Sequence, residues 1–259
     1  IISMETEFHG LNGLKNADTY CRKNIFPLQS KSSVMKKGEL HLNTLLIDTS
    51  SEFQICAVKT GNSIVNEVID AGNKHSAMFL SSIDAVIKKA KINQKEISRL
   101  ICGTGPGSFT GIRIAVSTAR MLSQILNIPV MGIPSQMIFS MLTAEEGETV
   151  LSAFDAKKNR IFAACYTKIN SMPVEIIKPG DYYPEDIQEM ISDKTITATG
   201  NGALKYKEIL SINYRDFNPL YFDDLFKYAE KNSGNFLSWE KLLPFYARKS
   251  DAEVLKNSK

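Results

Sequence analysis

The chain has 259 residues, enough for one large domain or two small ones, and it can bury a sizeable core without disulfide or metal staples. Hydrophobic residues make up 43% and charged residues 23%, which excludes collagen-like, disordered and coiled-coil classes. The formal net charge is +3, from 31 Lys and Arg against 28 Asp and Glu, too balanced for a protein that holds nucleic acid by charge alone.

The first 34 residues differ from the rest of the chain. They contain scattered Gly, Asn and Ser without a sustained period, and they lack the apolar centre of a signal peptide. Apolar, strand-like sequence begins soon after Met35. We therefore expect residues 1–34 to be an unstructured or artefactual extension and Met35 to be the working start.

The cysteines and the hydropathy indicate a cytoplasmic protein. Cys56, Cys102 and Cys165 lie in apolar, strand-like segments and form no CxxC pair, so we expect buried, reduced thiols. No apolar run approaches the roughly 18 residues that a membrane span requires.

The first half of the chain predicts a meander followed by αβ units. Short apolar runs predict three hairpin-linked strands, at Thr44–Ser50, Phe53–Lys59 and Ser63–Ile69. Apolar residues spaced three and four apart then predict a helix over His75–Ala90. The order continues with a strand at Leu100–Gly103, a helix at Ser108–Leu126, a strand at Pro129–Ile133 and a helix capped by Ser135.

The second half repeats this theme less clearly. Strands are predicted at Thr149–Phe154, Arg160–Thr167 and Thr195–Thr199. Helices are predicted at Pro184–Ile191, Gly202–Leu210 and Asp223–Asn232, and an irregular tail starts at Pro244. Together the halves predict an α/β fold of mixed sheets flanked by helices, with a hint of duplication but no sequence repeat.

The most informative segment is GTGPGSFTGIRIAVSTAR, residues 103–120, which joins a strand to a helix. Its glycines allow close backbone approach, and the start of a helix can bind an anion. The candidate binding residues here are Gly105, Gly107, Ser108 and Thr110. The segment matches neither the P-loop nor the GxGxxG pattern. A tight turn that only holds strand to helix remains the alternative.

The helices at 75–90 and 108–126 have unusually broad apolar surfaces. A helix covered by its own sheet needs one apolar stripe, so the breadth suggests a second partner. Plain core helices remain the alternative. The candidate interface residues are Phe79, Ile83, Val86, Ile112, Ala115, Val116, Ala119 and Leu122.

Several segments in order resemble the bacterial TsaB family, also called YeaZ. They are GTGPGSFTGIRIAVSTAR, with IDTSSE upstream, HS at 75–76, NIPVMGIPS at 127–135, FDAKKNRIFAACY at 154–166 and PFYARKS at 244–250. The resemblance covers roughly residues 44–250. It implies two actin-like subdomains of the sugar kinase/Hsp70/actin superfamily. We place them at residues 35–140, with the partner-binding helices, and 141–259, with the tail.

The resemblance also implies a function. TsaB is the noncatalytic partner of TsaD, and with the TsaE ATPase they install threonylcarbamoyl on N6 of adenosine 37 in tRNAs that read codons starting with A. It pairs with TsaD, or with itself as a homodimer, through the two helices of its first subdomain. The tRNA would be held mainly by the complex. The alternative is a stand-alone kinase or ATPase of the same superfamily that acts on a small metabolite.

By that resemblance, Asp48, Thr49 and Ser50 lie at the position where kinases of the superfamily hold the phosphates of ATP. Ser50 and Ser51 replace the glycines that such a turn favours, so we expect at most a vestigial cleft that binds ATP or ADP weakly. No catalytic residue is expected. No metal site is expected either, because no two of His9, His41 and His75 have ligand spacing.

Overall fold

The computed structural model describes residues 42–72, 75–191 and 195–248, except for the side chains of 75–77. All these residues belong to one compact unit. The predicted extension at 1–34, the predicted start at Met35 and the side chains of His9, His41 and His75 lie outside the described residues.

The first five strands form a sheet with the order β3-β2-β1-β4-β5. Their bounds are β1 Asn43–Asp48, β2 Phe53–Thr60, β3 Ser63–Asp70, β4 Ile97–Gly103 and β5 Val130–Ile133. The meander β1–β3 is antiparallel, whereas β4 and β5 continue the sheet in parallel. Leu45 and Ile47 of β1 face one core and Leu46 faces another, so the central strand is buried on both faces.

Two long helices cover one face of this sheet. They are α1, His75–Lys89, and α2, Phe109–Leu126. The side chain of Ser108 caps α2 by accepting a hydrogen bond from the N–H of Gly111. The helix ends at Asn127, which adopts the left-handed conformation with φ 53°.

The predicted interface residues lie in the core beneath these helices. Phe79, Ile83, Val86, Ile112, Ala115, Val116, Ala119 and Leu122 are all 6% exposed or less and pack in one cluster against the first sheet. The apolar stripe that marked them is therefore the stripe that binds the chain's own sheet. A partner docking on the folded chain would contact other residues of α1 and α2.

The second sheet has the order β10-β9-β6-β7-β8. Its strands are β6 Thr149–Lys157, β7 Arg160–Ile169, β8 Met172–Tyr182, β9 Thr197–Thr199 and β10 Asn213–Tyr214. Three short helices accompany it, α4 Pro184–Ile191, α5 Asn201–Lys205 and α6 Lys207–Leu210. Read from its meander edge, the order β8-β7-β6-β9-β10 repeats that of the first sheet. The predicted duplication is thus visible in the topology.

A shared core joins the two sheets. It contains α3, Ser135–Thr143, and α7, Phe222–Lys231, together with residues of both sheets. The predicted subdomain boundary at 140/141 falls inside α3. Acidic side chains of α7 reach both sheets, since Asp224 binds Lys168 of β7 at 3.0 Å and Glu230 binds Lys59 of β2 at 3.2 Å.

The chain then returns to the first sheet. Leu237 pairs with Val130 of β5, and Leu242 is buried in the first core. The N–H of Phe245 donates to the carbonyl oxygen of Thr104 at 2.8 Å. The segment that follows β10 and α7 therefore completes the first half of the fold rather than the second.

Candidate functional site

The glycine-rich segment is held tightly against the end of β1. A Cβ atom at Gly107 would lie 2.2 Å from the carbonyl oxygen of Ser50, and one at Gly111 would lie 1.8 Å from that of Thr49. The N–H of Ser108 donates to the Ser50 carbonyl at 2.7 Å, and the Thr49 hydroxyl donates to the Gly111 carbonyl at 2.7 Å. Close backbone approach to β1 thus accounts for two of the glycines without a ligand.

Asp48 is enclosed below this contact and has no exposed surface. One carboxylate oxygen accepts from the N–H and the hydroxyl of Ser50, each at 2.8 Å. The other accepts from the hydroxyl of Ser135 at 2.5 Å, and that hydroxyl in turn accepts from the N–H of Gly105 at 3.0 Å. The carboxylate therefore holds β1, the glycine segment and α3 together.

A cleft of about 660 Å³ opens above these residues, with walls from both sheets. Of the predicted nucleotide residues, Ser50, Gly107, Ser108 and Thr110 line it. Asp48, Thr49 and Gly105 do not, because they are buried below its floor. The structure thus divides the predicted set into a lining group and a supporting group.

The sequence did not indicate the far wall of the cleft. It is lined by the β6–β7 turn at Asp155–Lys157, by Asn201 at the start of α5 and by the tail as far as Arg248. The Asn201 side chain accepts from the N–H of Asp155 at 2.8 Å, and Arg248 donates to the carbonyl of Ala156 at 2.7 Å. FDAKKNR and residues 245–248 of PFYARKS, noted in the sequence as separate motifs, therefore meet at this wall.

The pKa values of two carboxylates in the cleft are shifted in opposite directions. Burial, together with the negative charge of Asp70, raises the pKa of Glu52, and one of its oxygens is buried without a hydrogen-bond partner. Burial acts in the same direction on Asp155, but hydrogen bonds from Lys157 and Lys205 outweigh it and lower the pKa. Asp155 is therefore ionised at neutral pH, and Glu52 is protonated more easily than Asp155.

The outer surface of α2 carries a second candidate site. Arg113, Ser117, Met121 and Ile125 are spaced four residues apart and are all exposed, so they form one ridge along the helix. Met121 is 43% exposed and Ile125 70% exposed, while the opposite side of the helix is buried. We refer to these four residues as the α2 ridge.

Two features are absent from the described ranges 42–72, 75–191 and 195–248. Within them, no group of three or more His, Cys, Asp or Glu side chains could hold a metal ion. No helix in these ranges is both long and apolar enough to cross a bilayer. Cys56, Cys102 and Cys165 are buried and form no disulfide with one another, as expected.

Comparison with known proteins gives the family. A family model described as "TsaD: tRNA N6-adenosine threonylcarbamoyltransferase" matches residues 63–216, more than half of the chain. A Bacillus subtilis relative named "tRNA threonylcarbamoyladenosine biosynthesis protein TsaB" is 22% identical over 225 residues, covering 82% of this chain and 97% of the relative. A relative of the same name from Buchnera aphidicola subsp. Schizaphis graminum is 29% identical, covering 70% and 93%. The chain belongs to the TsaB (YeaZ) family.

Solved structures of the family agree on the fold. The Pseudomonas aeruginosa structure titled "YeaZ from Pseudomonas aeruginosa" is 21% identical and superposes with a TM-score of 0.68, covering 79% of this chain and 99% of that one. A second structure from that organism, described as similar to peptidase YEAZ, gives a TM-score of 0.70 with 80% of this chain covered and 100% of the other. The α/β fold with two actin-like subdomains, expected from the TsaB resemblance, is therefore confirmed.

Proposed function

We propose that this chain is a noncatalytic partner subunit in tRNA threonylcarbamoyladenosine biosynthesis, and that it supports a TsaD-like subunit which performs the transfer. A TsaE-like ATPase would complete the assembly, and a homodimer would form in the absence of TsaD. The TsaB name of its relatives and the match to the TsaD family model support a place in this pathway.

The α2 ridge is the observation that carries the proposed partner role. Its apolar members, Met121 and Ile125, point away from the core on a helix whose other side is already buried. Helix α1 likewise exposes Met78 and Leu80, at 46% and 58%. Exposed apolar side chains on two neighbouring long helices suit a helical partner of similar surface.

The arrangement around Asp48 supports a noncatalytic role. A phosphate-transferring site of this superfamily needs an acidic group that reaches a metal ion or water. Asp48 is instead fully buried and bound by Ser50 and Ser135. The N–H groups of Gly105 and Ser108 are likewise used within the chain, which leaves fewer donors for a phosphate.

The proposal is tested by charge insertion on the α2 ridge. We expect Ile125→Glu to abolish co-elution with a TsaD-like protein from the same source while the melting temperature stays unchanged. The matched control is Met190→Glu, because Met190 is 50% exposed on helix α4 of the second half. Normal co-elution of soluble Ile125→Glu would show that this ridge is not the interface.

The cleft supports a second, separable proposal, weak binding of ATP or ADP. Ser108 and Thr110 are exposed and offer hydroxyl groups along one wall. Isothermal titration with ADP, repeated on Thr110→Ala, which removes an exposed hydroxyl of the cleft, measures this directly. A robust ATPase activity of the chain alone, together with no co-elution with TsaD, would favour the stand-alone enzyme instead.

A further inference from the structure

A cluster of cations surrounds the β6–β7 turn at the mouth of the cleft. Asp155 lies at its centre, and its side chain is only 10% exposed. The ammonium groups of Lys157 and Lys205 both contact this carboxylate, at 2.8 and 3.1 Å. Their own side chains are 79% and 46% exposed, so both charges face solvent. One carboxylate thus holds two ammonium groups at the surface.

Asp181 repeats this arrangement beside the first. Its carboxylate is 8% exposed and binds the guanidinium of Arg160 at 2.9 Å. Arg248 of the tail approaches the same carboxylate at 4.0 Å while it donates to the carbonyl of Ala156. Lys158, which is also exposed, lies between the two groups along the turn. We call Lys157, Lys158, Arg160, Lys205 and Arg248 the cation rim.

The cation rim carries more positive charge than its carboxylates neutralise. Four cations contact the two carboxylates of Asp155 and Asp181, a formal surplus of two within these contacts. Like charges held so close repel each other, and an added anion relieves that repulsion.

The backbone of the β6–β7 turn adopts an uncommon conformation. Lys157, Lys158 and Asn159 have φ values of 60°, 52° and 56°, which place three successive non-glycine residues in the left-handed region. Such residues cost of order 1 kcal/mol each and persist only where the surroundings hold them. Here the Asp155 carboxylate accepts the N–H of Lys157 at 3.0 Å and helps to hold the turn.

An exposed aromatic ring adjoins the rim. The Arg160 guanidinium lies over the ring of Tyr183 at 4.2 Å, and Tyr183 is 48% exposed. Cations with an exposed aromatic neighbour are typical of RNA-binding surfaces, where the cations contact phosphates and the ring stacks on a base.

We propose that the cation rim is an RNA-contacting surface that binds the phosphate backbone of a folded tRNA. The identification of the bound polyanion as RNA rests on the proposed function, which places the chain in a tRNA-modifying assembly. The rim and the α2 ridge share no residue, so the two proposals can fail independently.

The experiment compares three triple variants in binding to a fluorescently labelled tRNA transcript that reads a codon starting with A. Lys157→Gln/Lys158→Gln/Lys205→Gln removes three rim charges, and the same positions changed to Arg retain them. The control, Lys95→Gln/Lys231→Gln/Lys241→Gln, removes three charges from exposed residues outside the rim. Each is measured as the chain alone and with a TsaD-like partner, over 0.05–0.3 M salt, and thermal melts confirm folding.

We expect the rim Gln variant to bind tRNA about tenfold to a hundredfold more weakly at low salt, and its log–log salt slope to fall by about 2, as loss of three phosphate contacts requires. The Arg variant and the control should bind within about threefold of the wild type. Equal effects of the rim and control sets overturn the proposal. The proposal is also overturned if the rim Gln variant loses binding to the TsaD-like protein but keeps its tRNA binding. The rim would then be a protein contact.

Discussion

Replacing Gly111 by Ala is expected to destabilise the protein, although Gly to Ala in an exposed helix normally stabilises by about 1 kcal/mol. Gly111 lies in the first turn of α2, and a Cβ atom there would be 1.8 Å from the carbonyl oxygen of Thr49. That oxygen belongs to the backbone at the end of β1 and cannot rotate away. The helix must therefore move by more than 1 Å before the contact becomes tolerable.

The expected loss follows from the contacts that this movement breaks. Overpacking of a tight interface costs about 1–3 kcal/mol. The hydrogen bonds from the Thr49 hydroxyl to the Gly111 carbonyl and from the Ser108 N–H to the Ser50 carbonyl contribute about 1 kcal/mol each. We expect a total near 4 kcal/mol, which lowers the melting temperature of a chain of this size by about 8–16 °C.

Urea unfolding and thermal melts measure this effect. The control is Gly234→Ala, where the added Cβ atom would have no neighbour within 4 Å, and it should melt within about 2 °C of the wild type. If Gly111→Ala is as stable as the control, the close packing of α2 on β1 does not hold in solution, and the structural explanation of the glycine segment fails.

Three further changes follow from the described contacts. Lys168→Met should lower the free energy of unfolding in urea by about 3 kcal/mol, because Lys168 is 2% exposed and Asp224 loses its ion-pair partner at 3.0 Å. Unchanged stability would contradict this. Glu52→Gln should stabilise the protein at pH 7 and have no effect below about pH 4.5. Burial raises the Glu52 pKa, so the wild type loses stability as the pH rises through that pKa and the carboxyl ionises. A gain that persists at pH 4 would refute this cause. Leu242→Ala should lower the free energy of unfolding by about 3 kcal/mol, because Leu242 lies in the core at 4% exposure. Leu243→Ala, at 65% exposure, should lower it by less than about 0.5 kcal/mol. Similar losses would show that the tail is not part of the core.

Most strands and helices of the first half follow from the sequence. The apolar run of β1, the alternation of β2 and the three-and-four spacing of α1 each lie within a residue or two of the prediction. Strand β8 was missed because Pro173 and Pro179 interrupt it. Proline is tolerated there because β8 is the edge of its sheet, where unpaired N–H groups face solvent.

The partner surface illustrates a limit of periodicity. An apolar stripe shows that a helix face is buried, but not what buries it. For Ala119 and Val116 it is the chain's own sheet, whereas Met121 and Ile125 of the same helix are exposed. Similarly, the sequence could not reveal that Asp48 is enclosed, because Ser135 reaches it from 87 positions away.

The return of the tail to the first sheet has a consequence for synthesis. Leu242 packs in the first core and Leu237 pairs with the edge strand β5, yet both follow all ten strands of the described residues. A ribosome adding about 5–20 residues per second needs roughly 5–20 s to proceed from Ile133 to Leu242. The half that emerges first therefore waits for Leu237 and Leu242, and the nascent protein is expected to gain its full resistance to proteolysis only after these residues have been made.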